Sequence, residues 1–316
     1  MADNIVYLNG SYVKDADAKI SIFDRGFTNC DWTYDVTRTF NHKPFQLRDH
    51  IARLYRSLDF IQLDPGLTQD EMHDITLEVF KRNEKSLGPG DDFSITHRVS
   101  RGIGELAPGT YRPTVAVYCN RIKFESFAQR LIDGAPLVVA STRRVPPVCM
   151  DPKAKHVSLN FLLANLEGQS VDPSAWVLML DVYGFLSECT SKNIFLVRSG
   201  GLLTPKRDNV LEGVTRATIL ELASKLDIPC SETDLSVYDL MTADEVFVTS
   251  VTPVMIPISK INNRPLKNPG PGPVIRKLQR AWSEMVGVDI VAQALSQLDA
   301  CRPCGQTAAV TRNDCR

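Results

Sequence analysis

The chain has 316 residues, and its 36 lysines and arginines nearly cancel its 37 aspartates and glutamates, which leaves a formal charge of -1. This balance excludes a broad basic surface of the kind that binds nucleic acid or anionic lipid, so a small-molecule partner is expected. The N-terminus has no basic region followed by an apolar one, and no window approaches ~18 uninterrupted apolar residues, so we expect a cytoplasmic protein. The length allows about two domains, at ~150 residues per domain.

Eight cysteines are spread along the chain, five of them singly, which indicates reduced thiols rather than a disulfide framework. Cys301 and Cys304 have the CxxC spacing of a zinc or redox site. No second pair and no nearby histidine completes that site, so no metal is expected. Because the last segment lacks apolar periodicity, residues 298–316 are predicted to form a disordered tail.

Residues 1–120 alternate strand patterns with helical ones, which predicts a small α+β domain. Apolar residues at steps of four and three from Leu47 to Ile61 predict an amphipathic helix. Thr68 and Glu71 form a capping box that opens a second helix. The strands predicted in this domain are NIVYLNGSYV, KISIFD, DVTRTFNHKPFQL, DFSITHRVSRG and RPTVAVYC.

Residues 121–135 are charged and weakly periodic, which predicts an interdomain connection. A larger domain is predicted over residues 136–297, where short apolar runs alternate with helical patterns. Its predicted strands are APLVVAST, AWVLMLD, NIFLV, EVFVTS and VMIPISKI, and its predicted helices are HVSLNFLLANLEGQ, GVTRATILELASKL and, as the last one, PVIRKLQRAWSEMVG.

One polar turn interrupts an apolar run. VYGFLSECTSKNIFLV, residues 182–197, has the pattern of two buried strands separated by Glu188 to Asn193. A solvent-facing hairpin tip would explain this turn. Carboxylates are seldom buried without a partner, so Glu188, which follows the apolar run directly, could instead be held inside for a chemical purpose. The motif by itself leaves both interpretations open.

Three further places could bind an anion or carry out nucleophilic chemistry. Gly213, Val214 and Thr215 begin a predicted helix, whose unpaired N–H groups and dipole favour an anion, although an ordinary capped helix is the alternative. Arg53 could bind phosphate through paired donors or lie in solvent beside the core. Lys155 precedes an apolar helical run, where burial would lower its pKa and make it a nucleophile, with a solvated lysine as the alternative.

The order of five motifs along the chain is more specific than any one of them. The motifs are FxLxxHxxRL (Phe45 to Leu54), Lys155, SECTSKNIFLV (Ser187 to Val197), TPxxxxxLxGVTR (Thr204 to Arg216) and ADEVFVTS (Ala243 to Ser250) with a later proline. This series resembles the class IV aminotransferases, the pyridoxal-phosphate enzymes of fold type IV, over roughly residues 5–265. The resemblance implies a small N-terminal two-layer α/β domain and a larger C-terminal domain with a β-barrel-like core and flanking helices.

The resemblance also implies roles for individual residues. Lys155 aligns with the lysine that forms a Schiff base with pyridoxal 5'-phosphate and then moves the proton between substrate and cofactor. Glu188 aligns with the glutamate that pairs with the ring nitrogen, a role that would explain a carboxylate inside the turn, since it keeps that nitrogen protonated. The implied phosphate ligands are Arg53, Val214 and Thr215, and Leu211 is implied to pack against the ring.

The chain departs from the family pattern near the cofactor. Cys189 stands where relatives usually have a glycine after the glutamate, which implies a differently shaped turn. Val251 stands where many relatives have a threonine in the last phosphate loop, which leaves Ser250 or Thr252 as substitutes. We therefore expect the loop from Ser250 to Thr252 to complete the phosphate site.

Substrate recognition is implied by residues of the first domain. TNCDWTYDV replaces the usual glycine-rich stretch after DRGF, and its spacing from Asp31 to Tyr34 is similar to that of (R)-amine transaminases. Tyr34 is therefore expected to line the substrate pocket, and strand alternation places Arg38 on the same face. Arg38, Arg101 and Arg112 lie near positions at which relatives bind carboxylates, so a D-amino-acid donor stays open.

The predicted function is a homodimeric, pyridoxal-phosphate-dependent transaminase with active sites near the interface. It would move an amino group from an (R)-amine or amino acid to a keto acid such as pyruvate. A D-amino-acid or branched-chain amino-acid aminotransferase is the alternative within the family, and aminodeoxychorismate lyase is less favoured. A catalytically silent ligand-binding protein would keep the anion site without needing the lysine.

Overall fold

A computed structural model describes residues 4–300, with side chains described through Leu298. Cys301, Cys304, Cys315 and most of the predicted tail lie outside this range. Over residues 4–300 no helix is long and apolar enough to cross a membrane. The same residues contain no cluster of three or more histidine, cysteine or acidic side chains that could hold a metal ion.

The described residues form two sheets with helices packed against them. The strands are β1 (Ile5–Leu8), β2 (Ser11–Lys14), β3 (Trp32–Phe40), β4 (Lys43–Pro44), β5 (Phe93–Gly104), β6 (Tyr111–Arg121), β7 (Ala135–Val139), β8 (Trp176–Leu180), β9 (Leu186–Cys189), β10 (Asn193–Arg198), β11 (Gly201–Pro205), β12 (Cys230–Thr233), β13 (Glu245–Ser250), β14 (Val254–Ile261) and β15 (Arg264–Pro265). The helices are α1 (Arg25–Asn29), α2 (Leu47–Phe60), α3 (Gln69–Asn83), α4 (Arg130–Asp133), α5 (Leu159–Val171), α6 (Val214–Lys225), α7 (Val237–Thr242), α8 (Pro273–Val286) and α9 (Ile290–Ala300).

The first sheet is antiparallel, in the order β2-β1-β6-β5-β3-β4. Helices α2 and α3 pack on one face of it around Leu54 and Met72, which are fully buried. Helix α2 was expected from the apolar spacing and α3 from its capping box. The capping box at the start of α3 is confirmed, since the Thr68 hydroxyl accepts from the Glu71 N–H and the Glu71 carboxylate accepts from the Thr68 N–H.

The second sheet curls into a half-barrel. Its order is β12-β11-β10-β13-β14-β7-β8-β9, with β15 paired to β14. A tight turn, closed by a bridge between Cys189 and Lys192, leads from β9 directly into β10. Strand β9, the last in this order, therefore lies next to β10, the third. Helix α5 covers β8, and α6 and α8 cover β10 and β13. The β-barrel-like core with flanking helices is thus confirmed.

The first sheet ends at Arg121 and the second begins at Ala135. The segment between them includes α4 and buries Phe124, Phe127 and Leu131 in the core of the second sheet. This segment, for which the sequence predicts an interdomain connection, therefore also contributes apolar packing. Division of the chain into the predicted domains stays a prediction.

Two parts of the chain differ from expectation. The strand predicted for KISIFD is wrong, because Ile20 and Ile22 lie exposed in an irregular segment that ends where the Asp24 carboxylate caps α1. Helix α8 is not the last helix, since α9 follows it and reaches Ala300, past the predicted start of the tail at residue 298. The Gln293 side-chain amide of α9 donates to the Asp92 carboxylate at 2.7 Å, which anchors α9 beside β5.

Leu54→Ala should lower the free energy of unfolding by about 2–5 kcal/mol, because it opens a cavity in the core beneath α2. Denaturant unfolding followed by circular dichroism measures the loss. Leu77→Ala on α3 is the control, since that side chain is 39% exposed and its truncation should cost less than about 1 kcal/mol. Equal losses for the two variants would contradict the packing described here.

Candidate active site

A cavity opens between the two sheets. Its walls come from β3, α2, the segment before α5, the β9–β10 turn and the start of α6. We call it the inner cavity. The side chains that define it are Tyr34, Arg53, Lys155, Glu188 and Thr215.

Arg53 is fixed by a buried network. Its Nε and Nη2 groups donate to the two carboxylate oxygens of Asp35, each at 2.8 Å, and Nη1 donates to the Glu212 carbonyl at 3.1 Å. Burial opposes ionisation of Asp35, but the Arg53 charge and the His50 hydrogen bond hold the pKa of its carboxyl well below the ordinary value. His50 donates through Nδ1 at 2.7 Å, and burial lowers the pKa of His50. Since a guanidinium has five N–H groups, two of those on Arg53 remain for the cavity.

The start of α6 forms another wall. Its N-cap is Gly213, which has no side chain to occupy the first N–H groups, so those of Val214 and Thr215 lack a capping partner. A Cβ atom at Gly213 would lie 2.3 Å from Asn193 Oδ1, so glycine is required for this close approach. The positive end of the helix dipole and these donors favour an anion in the inner cavity.

Glu188 lies at the end of β9 and is 5% exposed. Its carboxylate accepts from Arg144 Nε at 3.2 Å, from the Leu211 N–H at 3.0 Å and from Asn193 Nδ2 at 3.3 Å. Burial raises the pKa of Glu188, and the charges of Arg144 and Lys155 offset this only in part. The Glu188 carboxylate is therefore inside the fold, so the solvent-facing interpretation is wrong for Glu188, although a tight turn does follow it at Thr190 and Ser191.

Lys155 is held by its backbone on the first-sheet side of the cavity. Its N–H donates to Ser57 Oγ at 3.0 Å, and its carbonyl accepts from Thr33 Oγ1 at 2.6 Å. The Nζ atom lies 4.7 Å from the centre of the Tyr34 ring. Lys153, two residues earlier, instead pairs with Asp151 at 3.6 Å and does not line the inner cavity.

Three buried polar atoms on the walls of the inner cavity have no partner among the described residues. They are Arg144 Nη1, His156 Nε2 and Thr249 Oγ1. Buried polar groups in folded proteins are nearly always hydrogen-bonded, so these three groups need a partner, which a buried water or a bound ligand can provide.

A second, wider and more open cavity meets the inner one at Lys155. We call it the outer cavity and define it by Tyr34, Val36, Trp176, Lys192 and Thr252. The two cavities share the residues Tyr34, Lys155, Ser191, Lys192, Ser250 and Val251.

The predicted cofactor residues converge on the inner cavity with one exception. Arg53, Glu188, Leu211, Val214, Thr215, Ser250 and Val251 all line it, as does Lys155. Thr252 lines the outer cavity instead. The individual roles of these residues stay predictions.

The three arginines proposed to bind a substrate carboxylate lie outside both cavities. Arg38 is buried behind the wall, where its guanidinium donates to the carbonyls of Thr39 and Thr252. Arg101 donates to Asp31 and to the carbonyls of residues 61 and 62, each at 2.8 Å. Arg112 is exposed on β6. Their positions favour structural or surface roles, whereas Tyr34 does line both cavities.

Sequence reasoning missed Arg144 and Asn193, both partners of Glu188. Arg144 lies 44 residues before Glu188, and no spacing rule connects two such positions. A hydrogen-bonding role for Asn193 could have been predicted from the sequence, because a polar residue at the start of a buried strand needs a hydrogen-bond partner.

Comparison with known proteins agrees with this geometry. The family model for amino-transferase class IV matches residues 32–261. A Methanocaldococcus jannaschii protein provisionally named a branched-chain-amino-acid aminotransferase is 33% identical, over 89% of this chain and 96% of that protein. A D-alanine aminotransferase of Listeria monocytogenes is 27% identical, over 93% of this chain and 98% of its own length.

Solved structures show the same fold. The branched-chain aminotransferase of Thermoproteus uzoniensis with norvaline superposes with a TM-score of 0.79 at 27% identity, covering 94% of this chain and 98% of that one. The Escherichia coli branched-chain amino acid aminotransferase gives a TM-score of 0.82 at 25% identity, covering 90% and 95%. The chain belongs to the class IV aminotransferases, enzymes that use pyridoxal 5'-phosphate.

Proposed function

We propose that this enzyme transfers an amino group from an amino acid or an (R)-amine to a keto acid such as pyruvate, with pyridoxal 5'-phosphate held in the inner cavity. The observation that carries the proposal is the position of Lys155, which lines both cavities. On one side of it lie a buried carboxylate and a set of anion donors, and on the other side lies a wider space for substrate.

The residues of the inner cavity fit the cofactor. Two N–H groups of Arg53 and the uncapped start of α6 suit a phosphate, and Glu188 suits a protonated ring nitrogen. The unpaired atoms of Arg144, His156 and Thr249 are further places for a polar ligand. When bound, pyridoxal phosphate supplies an aldehyde that takes up the amino group and a ring that accepts electrons from the substrate carbon.

The protein's own groups position and move protons. The Lys155 amine is the base that takes the proton from the substrate carbon and returns it, because it lies where the cavities meet. The Glu188 carboxylate holds the proton of the ring nitrogen, and Arg144 and the Leu211 N–H fix its orientation. Asp35 orients Arg53 through two parallel hydrogen bonds.

Two observations favour different amino donors. The branched-chain and D-alanine aminotransferases among the relatives support an amino-acid donor. Tyr34 beside Lys155 supports an (R)-amine donor, because an aromatic wall accepts a donor without a carboxylate. A panel of (R)- and (S)-amines and D- and L-amino acids, each followed by the change in cofactor absorbance in a single half-reaction, separates these donors. Consumption of the keto acid then distinguishes transfer from lyase activity.

Lys155→Ala should give a folded protein that binds pyridoxal phosphate without covalent attachment. Borohydride reduction followed by mass spectrometry of the digested chain measures this attachment directly. Lys153→Ala is the matched control and should be labelled like wild type, since Lys153 does not line the inner cavity. Labelling of Lys155→Ala at any other lysine would reject the assignment.

Glu188→Gln should slow the half-reaction with an amino donor by about 100-fold or more, since the amide cannot hold the ring nitrogen protonated by its charge. Stopped-flow absorbance measures the rate, and equilibrium dialysis checks that the cofactor stays bound. Glu221→Gln, an exposed position on α6, is the control. A rate for Glu188→Gln close to wild type would contradict the proposed role.

We propose further that the enzyme is a homodimer. Helix α5 carries an exposed apolar face, because Leu159, Leu162, Leu163 and Leu166 are each at least 52% exposed. An exposed apolar helix face is expected to be covered by another surface. We propose that a second copy of this chain covers the face of α5. Because α5 follows Lys155 closely in sequence, such an interface would lie beside the active site.

Leu162→Glu should shift the protein from dimer to monomer, because it buries a charge in the proposed interface. Sedimentation velocity measures the shift. Leu77→Glu, which places the same charge on α3, should leave the dimer intact. An unchanged oligomeric state in Leu162→Glu would show that α5 is not the interface.

A further inference from the structure

Two cations share one aromatic ring on the wall of the outer cavity. The Lys192 Nζ atom lies 4.2 Å from the centre of the Trp176 ring, and the Arg130 guanidinium carbon lies 5.2 Å from it. All three residues line the outer cavity, but they come from separate elements, namely the β9–β10 turn, α4 and β8. The ring face attracts both positive groups and so offsets part of their mutual repulsion.

The charge of this pair is not neutralised within the cavity. No aspartate or glutamate is among the described residues that line the outer cavity. Burial, and to a smaller extent the charge of Arg130, lowers the pKa of Lys192 to about 8. The nearest acid that acts on Arg130 is Asp172, whose carboxylate is already bound by Lys260 at 2.9 Å and by Ser174 at 2.7 Å.

The hydrogen-bond donors of the pair are also largely free. The described contacts of Lys192 Nζ are the Ser191 hydroxyl, at 3.0 Å, and the Trp176 ring. The Arg130 guanidinium makes no hydrogen bond to any described residue. A planar guanidinium and an ammonium group that share one wall can each donate to the oxygens of a carboxylate.

We propose that Arg130 and Lys192, held over Trp176, bind a carboxylate of the keto acid and amino acid substrates next to Lys155. This inference rests on the proposed function and adds the residues that recognise the substrate. It replaces Arg38, Arg101 and Arg112 in that role, since their guanidinium groups lie outside the cavity. It holds for (R)-amine donors as well, because the keto acid acceptor still carries a carboxylate.

The test compares binding of an acid with binding of its neutral analogue. Calorimetry on the holoenzyme measures the affinity of 4-methylvaleric acid, of 4-methylvaleramide and of glutaric acid, none of which can exchange an amino group with the cofactor. The variants are Lys192→Met and Arg130→Met, which remove a charge and keep a flexible side chain. Lys192→Arg retains the charge, and Lys206→Met removes an exposed lysine that pairs with Asp234.

We expect each methionine variant at Arg130 or Lys192 to weaken acid binding by about tenfold or more and to leave amide binding within about twofold. Lys192→Arg should restore most of the acid affinity, and Lys206→Met should behave as wild type. A loss for 4-methylvaleric acid assigns the pair to the carboxylate next to the reacting carbon. A loss for glutaric acid alone assigns it to a distal carboxylate.

Equal losses for acid and amide, or no loss for either acid, would overturn the inference. The proposed function is tested separately by amino transfer from wild-type holoenzyme to pyruvate. If that transfer fails while the acid-selective loss persists, the pair still binds carboxylates and the transaminase proposal is the part that fails. If transfer succeeds and the loss is unselective, only the assignment of Arg130 and Lys192 is wrong.

Discussion

The active-site region depends on a fully buried carboxylate, that of Asp35 on β3. An isolated charge at that place would be costly, so the structure surrounds it with two N–H groups of Arg53 and one of His50. Arg53 extends the network across the gap between the sheets through its bond to the Glu212 carbonyl, just before α6. Buried ion pairs add little net stability, but removal of one partner leaves an uncompensated charge. The network therefore fixes the relative position of the two walls of the cavity.

The opposite wall carries a second buried carboxylate, that of Glu188, whose hydrogen-bond partners differ from those of Asp35. Asp35 receives paired hydrogen bonds from one guanidinium, whereas Glu188 receives a single bond from Arg144 and two from neutral amides. Burial consequently raises the pKa of Glu188, while the pKa of Asp35 is held low. The cost of burying Glu188 is thus only partly offset by the protein. A cationic N–H group in the inner cavity would complete its coordination, as the protonated ring nitrogen of the proposed cofactor would.

Local patterns in the sequence predict much of the fold. The helix from Leu47, the capped helix after Thr68 and most strands follow from apolar spacing and capping residues. The strand predicted for KISIFD is wrong because an alternating pattern shows only that the side chains suit a strand. None of the described strands pairs with this segment. The order of the motifs along the chain predicted residues that converge on the inner cavity. Arg144 and the pairing of Lys192 with Trp176 could not be found in this way, because they depend on which strands are neighbours. β9 pairs with β8, and the segment after β7 hydrogen-bonds to the end of β8.

Arg38, Arg101 and Arg130 differ in what surrounds them. Arg38 and Arg101 are buried in or behind the first sheet. Arg38 donates to two main-chain carbonyls and lies 3.6 Å from the Asp92 carboxylate, and Arg101 donates to Asp31 and to two carbonyls, so their charges and most of their donors are used within the fold. An arginine in that condition cannot exchange its partners for a substrate without exposing those carbonyls. Arg130 is only half-buried, and its main contact is an aromatic ring, which attracts a cation without occupying its N–H groups. Contact with a ring therefore keeps a guanidinium in place while leaving it able to bind an anion.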